Sequence, residues 1–107
     1  MTLKIGYKDY KLKFLTTITR DKTVCDGLCL NDESEIHIES TIHEMDARQA
    51  LWHEIFHAFE NTNGIQITEQ EIGALARGMT LFILNNPEFM KRMMSSKSIK
   101  DMGDKNA

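Results

Sequence analysis

Residues 51–60, in the middle of the 107-residue chain, restrict its fold more than any other segment. Their large apolar side chains recur at the spacing of a helix with one buried side. The pattern predicts a helix from about residue 43 to about residue 61, where Asn63-Gly64 stops it. His53 and His57 fall on the opposite side, four residues apart, so that one ring lies above the other. We therefore expect a helix that is packed on one side and lines a polar cleft with the other.

The same helix carries the pattern His53-Glu54-x-x-His57, which is typical of zinc-dependent peptidases. Two imidazoles one turn apart can bind one Zn²⁺, and Glu54 lies beside them in the position of a general base. Catalytic zinc normally has three protein ligands, so a third must come from elsewhere. Metzincins supply a histidine six residues after the second one, but this chain has Asn63 at that position. The extended metzincin motif is therefore absent.

A glutamate of the next helix is the other common source of a third ligand. Glu69 and Glu71 both fall in the first turn of that helix, each about 80° from the centre of its apolar stripe, so periodicity does not separate them. Thr68 and Glu71 also form a capping-box pattern, in which Glu71 would bond a backbone N–H. Glu60 shares the histidine side of the first helix, although such charges are most often only solvated.

The N-terminal part alternates between apolar and polar residues, as half-buried strands do, over residues 3–7, 10–14 and 35–39. Residues 28–30 predict one more short strand, Lys8-Asp9 a hairpin turn, and residues 31–34 a second turn. In the strand at 35–39, Ile36 and Ile38 should point inward.

The second half of the chain contains residues that predict where three helices begin and end. Ser40 or Thr41 could cap the first helix, with Glu44 completing a capping box. Thr68 should begin the second helix, which ends at residues 85–86, and Pro87 should begin a third that runs to about residue 94. About four antiparallel strands followed by three helices predict a small α+β domain over residues 1–94. Residues 95–107 are polar and without period, which predicts a disordered tail.

Composition narrows the class of protein. The net charge of −3 comes without a basic stripe, which argues against a nucleic-acid partner. No run of eighteen apolar residues or apolar leader is present, so we expect no membrane association and a cytoplasmic location. Cys25 and Cys29 are spaced C-x₃-C without a second pair, which favours reduced, packed thiols over a closed structural zinc site.

Residues 51–58, followed by residues 69–76, resemble the ImmA/IrrE-type metallopeptidases, and more closely the short zincin-like proteins of bacteriophages and prophages. The resemblance spans residues 3–90 and is specific at the HExxH pattern and loose elsewhere. Gly73 stands where those proteins more often have a polar residue. Alignment on Leu75-Ala76 implies that Glu71 is the liganding glutamate, and hence a zinc site of His53, His57 and Glu71.

The resemblance implies a zincin-like fold and a zinc-dependent metallopeptidase with Glu54 as general base. It also implies a protein substrate, such as a transcriptional regulator, in the cytoplasm of a bacterial host. A substrate strand could pair with the strand at residues 35–39, as strands beside zincin clefts do. The alternative is a zincin-fold module, a phage regulatory or antirepressor-like protein, that binds a partner without cleaving it.

No residue stands out from the sequence as the group that would stabilise the oxyanion. His37, His43, Tyr7 and Tyr10 are candidates by residue type alone. The methionines at positions 90, 93 and 94 are more typical of helix packing than of a functional site.

Overall fold

The computed structural model describes residues 1–103. Strands come first and helices after them, as predicted. The strands are β1 (Thr2–Ile5), β2 (Lys8–Leu15), β3 (Thr19–Arg20), β4 (Thr23–Val24), β5 (Gly27–Leu30) and β6 (Glu35–Glu39). The helices are α1 (Glu44–Asn63), α2 (Glu69–Asn85) and α3 (Pro87–Met93), followed by a short 3₁₀ helix at Ile99–Met102. The protein is therefore a small α+β fold.

The main sheet has four strands in the order β1-β2-β6-β5, and β3 and β4 form a separate hairpin. The prediction of an antiparallel sheet is wrong at its centre, because β2 and β6 run parallel with Leu12 opposite Ile36. The intervening residues 16–34 form the hairpin and then β5, which pairs antiparallel on the other edge of β6. Alternation along a strand reports its buried side but not the direction of its partner. Both edges of β6 are thus occupied, and a substrate strand cannot add to residues 35–39.

The first hairpin turns at Gly6-Tyr7 and not at Lys8-Asp9, which belong to β2. Gly6 has a φ of +61°, the left-handed conformation that the first central position of a two-residue turn can require. A Cβ atom at Gly6 would also lie 3.1 Å from Cβ of Thr62 on α1. Glycine is therefore needed both for the turn and for the approach to the helix.

The predicted length of α1 is confirmed within two residues, and Gly64 terminates it in the left-handed conformation, with a φ of +64°. Its predicted cap is wrong. His43 occupies the N-cap position and makes no side-chain cap bond. The Thr41 hydroxyl instead donates to Glu39 Oε2 at 2.8 Å, because the buried Glu39 carboxylate needs donors.

The second and third helices begin where the sequence predicts. Thr68 and Glu71 form the complete capping box of α2. Pro87 is the first residue of α3, and Asn86 at the N-cap position makes no side-chain capping bond. The Asn86 side chain donates to the carbonyl oxygen of Phe82 at 2.9 Å, so it satisfies the end of α2 instead of the start of α3.

Helix α1 is packed on two sides. The inner side of the sheet buries Ile36, Ile38 and Tyr10 completely against it. Burial of one isoleucine side chain contributes roughly 1.5–3 kcal/mol, so this layer holds α1 on the sheet. A second cluster of Phe56, Ile72 and Ala76 joins α1 to α2. The remaining side of α1, with both histidines, is left for the cleft.

Residues 104–107 of the predicted tail lie outside the described residues, and the division of the chain at residue 94 stays a prediction. In the described part of the tail, the carbonyl oxygen of Ser98 accepts a hydrogen bond from Arg92 at 3.0 Å. Among residues 1–103, no helix combines the length and apolarity that a membrane crossing requires.

Candidate metal centre

His53 and His57 lie on the cleft side of α1, with ring centroids 5.0 Å apart. Their side chains are 27% and 22% exposed, so both rings are partly shielded by neighbouring elements while their edges reach solvent. Glu54, between them in sequence, points toward β5 and is buried, with 7% of its surface exposed. The sequence prediction that the three residues share a cleft agrees with these positions.

Glu69, the first residue of α2, faces both histidines. Its Oε2 lies 3.1 Å from Nε2 of His53, and its Oε1 lies 2.8 Å from Nε2 of His57. One carboxylate therefore spans the two rings. The three side chains offer ligand atoms that all lie within 4.8 Å of one another.

Glu71 is not part of this cluster. Its Oε1 accepts hydrogen bonds from the backbone N–H of Thr68 at 3.0 Å and from the Thr68 hydroxyl at 2.8 Å. These bonds hold the pKa of Glu71 below its usual value. Two residues along a helix rotate a side chain by about 200°, so Glu69 and Glu71 leave α2 on opposite flanks. Only the flank of Glu69 faces α1, and the structure brings Glu69, not Glu71, to the histidines.

The three side chains could together hold a metal ion. Imidazole nitrogen and carboxylate oxygen are common zinc ligands, with bonds of about 2.0–2.2 Å, so ligand atoms in a tetrahedral site lie about 3.3 Å apart. Glu69 contacts the two rings with different oxygens, at the hydrogen-bonding distances of 3.1 Å and 2.8 Å, and the three ligand atoms all lie within 4.8 Å of one another. Three protein ligands leave a fourth position for water or substrate, as in catalytic zinc sites.

Glu60 contacts the ring nitrogen of His57 that does not face Glu69. Its Oε1 lies 2.7 Å from Nδ1 of His57, and its Oε2 accepts the backbone N–H of Ile67 at 2.8 Å. A proton on Nδ1 leaves Nε2 of His57 free for a metal, and such a carboxylate partner fixes the ring orientation. The Ile67 bond is also the main reason that the pKa of Glu60 is lowered. Its position three residues after His57 could have suggested this role, because such residues are neighbours on a helix.

Burial raises the pKa of Glu54 to about 7, against the opposing charges of His57 and Arg20. Strand β5 comes unusually close at this point. A Cβ atom at Gly27 would lie 3.0 Å from Cγ of Glu54 and 3.2 Å from its Oε2. Because glycine has no side chain, position 27 leaves the space that the Glu54 side chain occupies. Nothing in the sequence indicated this contact.

Two cavities meet at the cluster of His53, His57 and Glu69, and we call the two cavities together the cleft. The helix cavity, about 490 Å³, runs between α1 and α2 past Asp46, Ala50, Gly73 and Arg77. The strand cavity, about 470 Å³, runs along β5 past Leu28 and Leu30.

None of the residues first considered for the oxyanion borders either cavity. Tyr10 is fully buried and donates to Oδ1 of Asn31 at 2.7 Å, and Tyr7 is exposed in the first turn. His37 pairs with Glu35 at 2.8 Å, and His43 begins α1. The structure instead brings Arg20 of β3 to the cleft, a residue that the sequence did not single out.

The two cysteines are free thiols at the edge of the cleft. Cys25 borders the helix cavity and Cys29 the strand cavity. Burial, together with the charge of Glu54, raises the pKa of Cys29 to about 12, and burial also raises the pKa of Cys25. Both are therefore protonated at neutral pH and differ from reactive cysteines, whose pKa is lowered.

A third cavity, about 520 Å³, lies on the other side of α2 and contains no charged residue. We call it the apolar groove. It is lined by Phe56, Leu75, Met79, Phe82, Phe89 and Met93, among others from α1, α2 and α3. Met90 also lines it, so two of the three methionines noted in the sequence contribute to this packing.

Comparison of the chain with protein-family models, with curated proteins and with solved structures finds no match in any of the three.

Proposed function

We propose that this protein is a zinc-dependent metallopeptidase in which His53, His57 and Glu69 bind the metal. The observation that carries the proposal is the convergence of two imidazoles and one carboxylate within 4.8 Å, next to the buried carboxylate of Glu54. The likeness of residues 51–76 to ImmA/IrrE-type enzymes supports the same reaction. Glu69 takes the place that the resemblance gave to Glu71, because Glu71 is held in the capping box.

Bound at this site, Zn²⁺ would supply Lewis acidity toward a peptide carbonyl and lower the pKa of a coordinated water toward about 7. Glu54 is the group that moves the proton. Its carboxylate accepts a proton from the attacking water and gives it to the leaving amine nitrogen. Its buried position against Gly27 of β5 holds the carboxylate in place for both steps.

The substrate would be an extended peptide segment lying along β5. This strand is an edge of the main sheet, and the N–H of Glu39 on its neighbour β6 bonds to the carbonyl of Asp26 at 2.8 Å. By antiparallel alternation, the backbone groups of Gly27 and Cys29 then point away from β6, toward a strand that could add there. A transcriptional regulator of a phage or its bacterial host is the substrate class that the resemblance suggests.

The apolar groove favours a second candidate, a non-catalytic module that docks to a partner protein. Leu75, Phe82 and Phe89 are each at least 40% exposed there. Exposed apolar surface of this kind is typical of protein-interaction sites. This candidate does not use the metal centre for hydrolysis.

Substitution of Glu54 separates the two candidates. We expect Glu54→Gln to keep about one zinc per chain, measured by elemental analysis, and to abolish cleavage of a fluorogenic peptide library. His43→Gln, which alters a histidine outside the cluster, is the matched control and should change neither property. A wild-type protein that holds zinc and cleaves no peptide would favour the docking module. A protein without zinc would remove both the metal centre and the peptidase proposal.

A further inference from the structure

Four residues border both cavities of the cleft: Arg20, Glu54, His57 and Glu69. They mark the place where the helix cavity and the strand cavity join. Three of them already have a part in the proposed function, two as ligands and one as general base. The fourth, Arg20, carries a permanent positive charge.

An extended substrate that enters both cavities must pass this junction. Each residue of an extended chain spans about 3.3 Å, and the ligand atoms lie within 4.8 Å of one another, so one or two peptide groups can face the ligands at a time. The peptide bond to be cleaved is the one that lies against the metal ligands. Its carbonyl oxygen gains negative charge as water adds, and a cation fixed at that point stabilises the transition state.

The hairpin that carries Arg20 is tied to the body of the protein. Ile18 is buried, and its N–H donates to Oε1 of Glu39 at 2.9 Å. Its carbonyl oxygen accepts the N–H of Cys25 at 3.0 Å. Asp21 and Lys22 form the turn with φ values of 52° and 66°, the left-handed pair that a tight two-residue hairpin turn requires. Arg20 is therefore held beside the cleft by a defined backbone.

Within residues 1–103, the guanidinium of Arg20 has no ion-pair partner within 4.0 Å. Arg92 and Arg48 each pair with a carboxylate, and Arg77, which also has no such partner among these residues, borders only the helix cavity. The charge of Arg20 is thus available to a ligand in the cleft.

We propose that Arg20 is a catalytic residue that stabilises the negative charge on the carbonyl oxygen of the scissile peptide. This role rests on the proposed peptidase function. In the step, water adds to the carbonyl carbon, the carbon–nitrogen bond breaks, and Glu54 delivers the proton to the leaving amine nitrogen. Arg20 exchanges no proton and forms no covalent bond. It acts only through charge and hydrogen bonds that strengthen in the transition state.

The test compares Arg20→Met with Lys22→Met, which removes a charge from the same hairpin at a position that borders neither cavity. For the library peptide that the wild type cleaves fastest, we expect Arg20→Met to lower kcat about 100-fold with KM changed less than about threefold, as for loss of one oxyanion donor. Lys22→Met should retain wild-type kcat. Zinc content and the thermal melting temperature of both variants should match the wild type.

A binding measurement gives a readout independent of turnover. The probe is a phosphinic analogue of the same peptide, whose tetrahedral anionic group mimics the transition state. Calorimetry should show that zinc-loaded Arg20→Met binds this analogue about 100-fold more weakly than the wild type does. The uncleaved peptide is measured separately, on the inactive Glu54→Gln variant. Its affinity should be nearly the same for Glu54→Gln and for the double variant Glu54→Gln with Arg20→Met.

Three results would overturn the assignment. An unchanged kcat in Arg20→Met, with the wild type active, would remove Arg20 from the mechanism and leave the peptidase proposal standing. A higher KM with normal kcat would make Arg20 a contact to the substrate ground state instead. A wild type that binds zinc but cleaves no peptide would remove the peptidase function and this role of Arg20 together.

Discussion

The cleft and the apolar groove lie on two sides of the same helix, α2, and the helix cavity of the cleft is close in volume to the groove, about 490 Å³ against 520 Å³. Their linings differ completely. The cleft gathers charged side chains from β3, α1 and α2, and several of them meet at one point. The groove has only apolar side chains and Gly78, with no group that could bind a metal or move a proton. Cavity size therefore does not distinguish the candidate metal centre from the groove, whereas convergence of polar atoms does.

The largest effect expected from this comparison is loss of the metal in Glu69→Ala. Loss of a residue that only hydrogen-bonds a metal ligand typically weakens metal binding about 10–100-fold. Removal of a ligand itself should therefore weaken zinc binding at least about 100-fold. Zinc per chain after dialysis, measured by elemental analysis, should fall well below one. Glu71→Ala is the control, and it should keep its zinc because Glu71 bonds only Thr68. The opposite result would return Glu71 to the ligand set.

A smaller effect is expected at Gly27, in the wall of the cleft. Gly27→Ala places a methyl group 3.0 Å from Cγ of Glu54, so Glu54 or β5 must move. We expect the free energy of unfolding to fall by about 1–3 kcal/mol, as for other overpacked sites. Cleavage should fall about tenfold or more with zinc retained, because positioning of a catalytic group is sensitive to shifts of about 1 Å. The control is Gly78→Ala, where a new methyl group meets no atom within 4 Å. Full activity of Gly27→Ala would show that Glu54 tolerates displacement.

The smallest effect on chemistry is expected in the apolar groove. Phe82 and Phe89 pack edge to face with centroids 5.5 Å apart. Phe82→Ala should lower the free energy of unfolding by about 0.5–1.5 kcal/mol for the lost aromatic pair, plus the lost burial, measured by urea denaturation. Zinc content and cleavage should remain at wild-type levels. A change in cleavage would mean that the two sides of α2 are coupled, and the comparison between them would fail.

The features that the sequence predicted correctly are those formed by residues close to one another along the chain. The capping box at Thr68, the end of α1 at Gly64 and the inward pair Ile36 and Ile38 all follow from residues within a few positions of one another. The placement of His53 and His57 one turn apart is of the same kind. These features are present in any chain with the same local pattern.

Features that join distant segments were missed or left open. The parallel pairing of β2 with β6 depends on how residues 16–34 return to the sheet, which no periodicity reports. Arg20 and Gly27 reach the cleft only because the segment before the hairpin bonds to Glu39 of β6 and because β5 packs on α1. Their residue types carry no signal of that contact.

The sequence alone determined that two histidines and a glutamate share one helix, and that another helix begins with two further carboxylates. It could not decide between Glu69 and Glu71, since both lie equally far from the apolar stripe. The tertiary structure decided, because α1 packs on one flank of α2 and the two side chains point to opposite flanks. A site built from several segments depends on which faces meet, and packing of the whole chain settles that.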